Sequence, residues 1–329
     1  MNLLLLCAGE GTRFRPHTLR LPKPALPFLG IPLACYSLSW SEELALKGLV
    51  ANTYHLPAEI HHLLTEINHG FSKVSFSDEA PSLMGSGGGI AKAAPSLQGH
   101  ENFLVMNGDE VFLPQRPGFM KDALAAHQSE GRLATLFVME HPEVGQKFGG
   151  VWTDEGTRVL GFGKAALPGS AKGWHFIGAA LYSNRLLQRL SLQIASNILY
   201  DDLTRALQEG EKVHIHPVQG WWHETGNEID YLKATSDCLR LLSVDAPEAE
   251  LLKKALRRYA GEDWALEKTP ASLSLRFQSS NVSNESLLEG YNVIGKKASL
   301  GGLSKIRNVV LGTGVQGESL EAHDRLILP

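Results

Sequence analysis

The sequence has few of the features that mark membrane-bound, secreted or nucleic-acid-binding proteins. None of its apolar runs approaches the length of a membrane-spanning helix. Among 329 residues there are only three cysteines, Cys7, Cys35 and Cys238, far apart and in apolar surroundings, as is typical of reduced thiols in a cytoplasmic protein. The net charge of −4 predicts no bulk attraction to nucleic acid or to an anionic membrane. The N-terminal apolar run is short and lacks a basic segment, so we expect no signal peptide.

Two well-known phosphate-binding motifs are also missing. A dinucleotide fingerprint needs a third glycine at the position where this chain has Phe14. A Walker loop needs Gly-Lys followed by Ser or Thr, and that string occurs nowhere in the sequence. Neither of these two loops can therefore supply a nucleotide site.

A different phosphate-binding arrangement is present near the N-terminus. The apolar run Leu3–Cys7 is typical of a buried parallel strand, and it is followed at once by Gly9 and Gly11. The glycines allow backbone N–H groups to approach an anion, while Arg13 and Lys23 add positive charge. Because open α/β sheets bind ligands where a strand meets such a loop, we expect a ligand that carries phosphates.

The following residues alternate between strand-like and helix-like segments. Leu49–Thr53 and Lys73–Phe76 are predicted strands, and Pro57–Ile67 is a predicted helix between them. This alternation predicts an α/β fold with a mixed, mostly parallel sheet. Met84–Ile90 is predicted to be a second glycine loop that leads into a helix ending near Pro95, with bare backbone for a base or sugar to lie against.

One acidic residue follows a predicted buried strand. Asn102–Met106 leads through Asn107 and Gly108 to Asp109. A carboxylate at the carboxyl end of a central strand is well placed to hold Mg²⁺ on triphosphate oxygens. A helix-capping or turn aspartate is the alternative.

The N-terminal motif resembles a family signature. Gly9-x-Gly11-Thr12-Arg13-x-Arg15-Pro16-x-Thr18, followed by Pro22-Lys23-Pro24, resembles that of the sugar-1-phosphate nucleotidylyltransferases. The resemblance implies a Rossmann-like nucleotidyltransferase domain that uses Mg²⁺ to make an NDP-sugar and pyrophosphate from an NTP and a sugar-1-phosphate. It also implies that Arg13 holds the β- and γ-phosphates, that Lys23 offsets charge on the α-phosphate, and that Asp109 binds the metal. The implied nucleotide-binding residues are Ala8, Gly9, Gly11, Thr12, Gly85, Ser86, Gly87 and Gly88.

Two further segments resemble the family but depart from its usual pattern. Relatives carry Tyr-Gly and then Phe-x-Glu-Lys-Pro, which implies that Gly149 and Lys164 bind the sugar phosphate here, without the acidic neighbour. Relatives also show Trp-x-Asp-x-Gly-Thr, in which the Asp is the second metal ligand. This chain has Glu224 at that position and Asn227 in place of Thr, so the expected metal ligands are Asp109 and Glu224.

The C-terminal part of the chain has a different pattern of apolar residues. The aliphatic residues at positions 282, 288, 294, 300 and 306 recur every six residues, and a period of six predicts a parallel β-helix. We therefore expect a catalytic domain over residues 1–240, a helical linker over 241–270 and a short left-handed β-helix over 271–329. The sequence does not determine whether this tail forms a homodimer, and a homodimer is one of the alternatives.

The resemblance implies a sugar-1-phosphate nucleotidylyltransferase of cell-wall or polysaccharide precursor synthesis. The glycine run and Asn52–Leu56 resemble the uridylyltransferases that act on N-acetylmuramate-1-phosphate. The alternative is a mannose-1-phosphate guanylyltransferase, because a fused β-helix is common in that branch. A non-catalytic regulatory subunit would account for Glu224 and Asn227. An acyltransferase would account for the hexapeptide period, but His323 is the only histidine in that region.

Overall fold

The computed structural model of the protein describes residues 1–329. The α-helices are α1 (Leu33–Ser41), α2 (Pro57–Glu66), α3 (Gly85–Leu97), α4 (Phe119–Ser129), α5 (Thr204–Gln208), α6 (Glu228–Leu242) and α7 (Pro247–Ala260). Shorter helical turns cover Thr12–Phe14, His17–Leu19, Lys23–Ala25, Asn184–Gln188 and Ile198–Leu203. No helix combines the length and the apolar character that crossing a lipid bilayer requires.

The first part of the chain contains thirteen strands, nine of which form one mixed sheet. Its strands are β1 (Leu3–Leu6), β2 (Pro27–Phe28), β3 (Ile31–Pro32), β4 (Leu49–Thr53), β5 (Val74–Asp78), β6 (Asn102–Asn107), β7 (Val111–Pro114), β8 (Ala134–Met139), β9 (Gly150–Thr153), β10 (Val159–Gly163), β11 (Lys172–Ser183), β12 (Val213–Pro217) and β13 (Gly220–His223). The central order is β12-β8-β11-β6-β1-β4-β5, in which only β11 runs against its neighbours. The prediction of a mixed, mostly parallel sheet is confirmed. The hairpin of β9 and β10 extends the first half of β11.

Strand β1 is apolar throughout because both faces of the sheet are covered. Leu3 and Leu5 pack on one face with residues of α1, α2 and α4. Leu4 packs on the other face with residues of α3 and α5. Alternate side chains of a strand point to opposite faces, so a run of leucines is what a strand between two helical layers needs.

The prediction of a second glycine loop is wrong, because Gly85–Gly89 form the first turns of α3. Glycine disfavours a helix by about 1 kcal/mol per residue relative to alanine, but these glycines are required by close packing. A Cβ on Gly87 would collide with the side chains of Asp202 and Ser196. A Cβ on Gly89 would lie 2.5 Å from Oε1 of Glu79. Packing against neighbouring groups therefore explains the glycine run better than flexibility does.

Helices α6 and α7 lie between the sheet domain and the C-terminal strands. Tyr231 of α6 is fully buried, its hydroxyl donates to the carbonyl of Pro27, and its ring lies 5.5 Å from that of Phe14 and 5.4 Å from that of Phe28. The same apolar cluster includes residues of α7 and of the C-terminal sheet. Within the predicted helical linker, residues 241–270, α7 is helical and packed in this cluster, but Trp264–Lys268 form a β-strand, so the prediction is wrong for that part.

The C-terminal region is rich in strands that pair in parallel. They are β14 (Trp264–Lys268), β15 (Ser272–Phe277), β16 (Asn281–Val282), β17 (Leu287–Ile294), β18 (Ser299–Gly301), β19 (Lys305–Leu311), β20 (Gln316–Glu318) and β21 (Glu321–Ile327). The chain alternates between a sheet of order β14-β15-β17-β19-β21, in which only β14 is antiparallel, and a parallel sheet of order β16-β18-β20. Ile294, Leu300 and Ile306 of the six-residue period lie in one buried cluster between them. The left-handed β-helix stays a prediction.

Candidate active site

A cleft of about 370 Å³ opens at the edge of the central sheet where β1, β4 and β6 end. Its lining includes the predicted site residues Ala8, Gly9, Gly11, Thr12, Arg13, Lys23, Gly85, Ser86 and Asp109. A larger groove of about 1080 Å³ lies between residues 16–32 and β21, but none of the predicted site residues lines it. The cleft at the sheet edge is therefore the candidate active site, in agreement with the rule for open α/β sheets.

The loop after β1 is shaped by one left-handed glycine. Gly11 has φ +60°, and a Cβ there would lie 2.8 Å from Cγ2 of Thr18. The hydroxyl of Thr18 donates to the carbonyl of Gly11 at 2.9 Å, which closes the loop on the next turn of chain. Nothing lies within 4 Å of the Cβ position of Gly9, so the backbone is open to a ligand there.

Lys23 and Asp109 form an ion pair within the cleft. Nζ of Lys23 lies 2.7 Å from Oδ2 of Asp109, and the two side chains are 13% and 30% exposed. Burial by itself lowers the pKa of Lys23, but the carboxylate of Asp109, helped by those of Glu110 and Glu224, raises it above the ordinary value. Lys23 therefore keeps its positive charge at neutral pH in a partly desolvated site.

Arg13 and Glu224 flank the same glycine. A Cβ on Gly226 would collide with Oε1 of Glu224 and would lie 2.9 Å from Nη2 of Arg13. Gly226 lines the cleft, whereas Glu224 itself does not. The hydroxyl of the intervening Thr225 donates to the carbonyl of Asp109 at 3.1 Å, so this segment is tied to the turn that carries the first carboxylate.

Sequence reasoning missed Glu110. Its carboxylate accepts hydrogen bonds from Nδ2 of Asn107 at 3.1 Å and from Nε1 of Trp222 at 2.8 Å. Desolvation, and then the charge of Asp109, raise the pKa of Glu110 to about 7. The bond from Trp222 joins the Asp109 turn to the strand that leads to Glu224. The sequence around Glu110 contains no signal that would mark it as a buried site residue, because Trp222, one of its two hydrogen-bond donors, is 112 residues away.

Sequence reasoning also missed Asn52 and Glu79, which line the cleft and are 3% and 1% exposed. They are hydrogen-bonded to each other, with Nδ2 of Asn52 2.7 Å from Oε1 of Glu79. The available signal was an asparagine after the three apolar residues that begin strand β4, because a polar side chain in a buried strand needs a partner.

Besides Glu224, four predicted binding residues do not line the cleft. Gly87 and Gly88 are buried within α3. Gly149 precedes β9 and Lys164 follows β10, and the pairing of Gly150 with Gly163 brings these two ends together. The exposed Lys164 has no carboxylate within ion-pair distance.

The donor set suits a hard divalent cation. Mg²⁺ is bound by one or two carboxylates together with substrate phosphates and water, and Asp109 and Glu224 supply carboxylates of that kind. No group of three or more His, Cys, Asp or Glu side chains is arranged to hold a metal. The residues present therefore fit a metal that is completed by a phosphate ligand.

Comparison with known proteins agrees with this geometry. The family model described as nucleotidyl transferase matches residues 2–240. The chain is 26% identical to the mannose-1-phosphate guanylyltransferase of Mycobacterium tuberculosis, over 97% of this chain and 82% of that protein. It is 25% identical to the bifunctional protein GlmU of Methanocaldococcus jannaschii, over 74% of this chain and 56% of that protein.

Solved structures show the same fold. The UDP-glucose pyrophosphorylase of Acinetobacter baumannii superposes with a TM-score of 0.61 at 19% identity, over 78% of this chain and 98% of that one. The inositol-1-phosphate CTP transferase of Thermotoga maritima gives 0.59 at 18% identity, over 78% and 96%. The sheet defines an α/β domain, and the family model defines that domain as a nucleotidyl transferase domain. The chain belongs to the nucleotidyl transferase family, among the sugar-1-phosphate nucleotidylyltransferases.

Proposed function

We propose that the protein is a Mg²⁺-dependent uridylyltransferase that acts on N-acetylmuramate-1-phosphate or a related hexose-1-phosphate. The observation that carries the catalytic part of this proposal is the Lys23–Asp109 ion pair, which sets a cation and a carboxylate beside the glycine loop at the sheet edge. The base and the sugar rest on the sequence resemblance of the glycine run and of Asn52–Leu56. A mannose-1-phosphate guanylyltransferase is the second candidate, favoured by the relative that aligns over 97% of this chain.

The reaction needs positioning and charge neutralisation more than proton transfer. An oxygen of the sugar phosphate attacks the α-phosphorus of the NTP, and the bond to the bridging oxygen breaks, so that pyrophosphate leaves in line. The attacking phosphate is already ionised, so no general base is required. Lys23 neutralises charge on the α-phosphate, and Arg13, which has no carboxylate within ion-pair distance, binds the departing phosphates.

Asp109 and Glu224 would hold Mg²⁺, which supplies further neutralisation of the triphosphate charge when bound. The backbone of Ala8, Gly9 and Gly85, with Ser86, would seat the base and ribose. Gly149 and Lys164 would contact the sugar phosphate from the hairpin of β9 and β10. The C-terminal strands fit the predicted short β-helix, which would support the catalytic domain through α6 and α7.

The test is pyrophosphate release by the purified protein with Mg²⁺. UTP, GTP, dTTP, CTP and ATP are each combined with the 1-phosphates of glucose, mannose, N-acetylglucosamine and N-acetylmuramate. One strong pair that is lost on adding EDTA is expected, with UTP as the nucleotide. A strong GTP–mannose-1-phosphate pair would select the second candidate. Nucleotide binding without turnover for any pair would instead indicate a regulatory subunit.

A further inference from the structure

A buried chain of hydrogen bonds joins the two glycine segments of the cleft. The backbone N–H of Cys7 donates to Oδ1 of Asn52 at 2.6 Å. Nδ2 of Asn52 donates to Oε1 of Glu79 at 2.7 Å. Oε2 of Glu79 accepts from the backbone N–H of Met84 at 2.6 Å. The chain therefore runs from the end of β1, through the ends of β4 and β5, to the residue that precedes α3.

The hydrogen bonds of Asn52 and Glu79 allow only one assignment of donors and acceptors. A carboxylate only accepts hydrogen bonds, so Glu79 needs a donor at each oxygen, whereas the asparagine amide both accepts and donates. Gly89 confirms how closely α3 lies against the pair, since a Cβ there would be 2.5 Å from Oε1 of Glu79 and 2.8 Å from Nδ2 of Asn52. Glu79 thus binds the backbone N–H of Met84 at the N-cap of α3, which places its negative charge where the helix favours it.

We infer that Asn52 and Glu79 are positioning residues that fix the separation between the loop after β1 and the start of α3, and so set the nucleotide affinity of the cleft. This inference rests on the proposed function, because it treats the cleft as the NTP site. Both segments contribute residues to the cleft lining, so a change in their separation alters nucleotide binding before it alters the sugar side. Nothing in it requires either side chain to touch the nucleotide.

The order of donors and acceptors allows the amide of Asn52 and the carboxylate of Glu79 to be exchanged between the two positions. In Asn52→Asp the new carboxylate still accepts from Cys7 but faces the carboxylate of Glu79, so the pair must either bury a second negative charge or take up a proton that the wild type does not bind. In Glu79→Gln the new amide has only one acceptor oxygen, so its NH2 group must face either Nδ2 of Asn52 or the N–H of Met84, donor against donor. When both substitutions are combined, the carboxylate at position 52 accepts from Cys7 and from the amide at position 79, whose carbonyl in turn accepts from Met84. The double variant therefore restores all three bonds with the same net charge as the wild type.

The experiment measures NTP affinity in Mg²⁺ by calorimetry, steady-state KM and kcat, and the midpoint of thermal unfolding. Each single variant should weaken NTP binding by about tenfold or more, since each disrupts a buried charge-assisted hydrogen bond. The double variant should return to within about threefold of wild type, as a coupled pair requires. The KM for the sugar-1-phosphate should change little in all three.

Asn102→Asp is the matched control. Asn102 is also buried, at the start of β6, and its Oδ1 lies 3.2 Å from Nε2 of His127. Its replacement should lower the unfolding temperature and leave NTP affinity unchanged. The inference is overturned if the double variant binds NTP as weakly as the product of the two single effects, or if the single variants lose only thermal stability. A wild-type protein that binds NTP but never turns over would refute the proposed function and leave the binding test intact.

Discussion

Nζ of Lys23 and Oδ2 of Asp109 lie 2.7 Å apart although 86 residues separate them in the chain. Lys23 belongs to a short helical turn of the N-terminal motif, which follows β1. Asp109 follows β6, the strand that pairs with β1 in the sheet. In the free protein the cation and the carboxylate neutralise each other. When a nucleotide binds with its metal, Lys23 would pair with a phosphate and Asp109 with the metal. Neither charge would then be left buried without a partner, which would be strongly destabilising.

Replacement of Lys23 tests its role in neutralising the α-phosphate. Lys23→Ala should lower kcat by about 10²- to 10³-fold or more while NTP binding stays measurable, because the lost charge acts most strongly in the transition state. Lys23→Arg keeps the charge but not the compact ammonium group, so it should recover only part of the rate. The measurement is steady-state pyrophosphate release. Equal losses in kcat and in NTP affinity would contradict a transition-state role.

Replacement of Asp109 tests the metal assignment. Asp109→Asn should reduce turnover by about 10³-fold or more, because it removes a hard anionic ligand and also the partner of Lys23. The Mg²⁺ concentration needed for half-maximal activity should rise in any residual activity. The check is pyrophosphate release across a Mg²⁺ titration. Near-normal activity would show that the metal is held elsewhere.

Much of the sheet could be predicted from the sequence because its signals are local. Leu49–Thr53 is a strand over the predicted residues, and the apolar run at Leu3 gave β1 to within one residue. The residues of the N-terminal motif that line the cleft were likewise found within one short segment. Such elements need only their own pattern of apolar residues and glycines to be recognised.

The rest depends on contacts between distant parts of the chain. Gly87 has the local preference of a loop, and its place in α3 is explained by the close approach of Asp202 and Ser196. Asn52 and Glu79 are 27 residues apart, and the other partner of Asn52, Cys7, is 45 residues away. Buried polar pairs of this kind leave no periodic signal, so sequence reasoning could not connect them.

Gly226 offers a test of the arrangement around Arg13 and Glu224. A Cβ at this position would meet only the ends of these two flexible side chains, so Gly226→Ala should displace them with little effect on stability. Activity should fall by about tenfold to a hundredfold, since misplacement by an ångström can have that effect. The control is Gly156→Ala, in the turn between β9 and β10, where the nearest atom is Oδ1 of Asp154 at 3.3 Å. Comparable losses of activity in both variants would show that the loss in Gly226→Ala does not come from displacement of Arg13 and Glu224.

The Trp222–Glu110 bond should contribute to stability as well as to the site. Trp222→Phe leaves the carboxylate of Glu110 one donor short, so the free energy of unfolding should fall by about 1.5–3 kcal/mol. Trp221→Phe is the matched control, because that neighbouring indole donates to no protein acceptor. Urea unfolding of both variants measures the difference. A larger loss in Trp221→Phe would mean that ring packing, not the hydrogen bond, dominates.

His175 predicts an acid-sensitive contribution to stability. It is 7% exposed, neither ring nitrogen has a hydrogen-bond partner, and its ring centroid lies 4.2 Å from that of Trp222 and 4.8 Å from that of Phe148. Burial, and then the charge of His141, lower its pKa to about 4. Between pH 6.5 and pH 4 the unfolded chain therefore binds a proton that the folded protein does not, and stability falls as the pH falls.

His175→Phe keeps an aromatic ring in the cluster and removes both the unpartnered nitrogens and the titration. The variant should be more stable than the wild type by about 1 kcal/mol at pH 8. The advantage should grow by about 2 kcal/mol at pH 5, where the unfolded wild type is protonated at this position. Urea unfolding at the two pH values measures both quantities. An advantage of the same size at pH 5 and pH 8 would show that folding does not lower the pKa of His175.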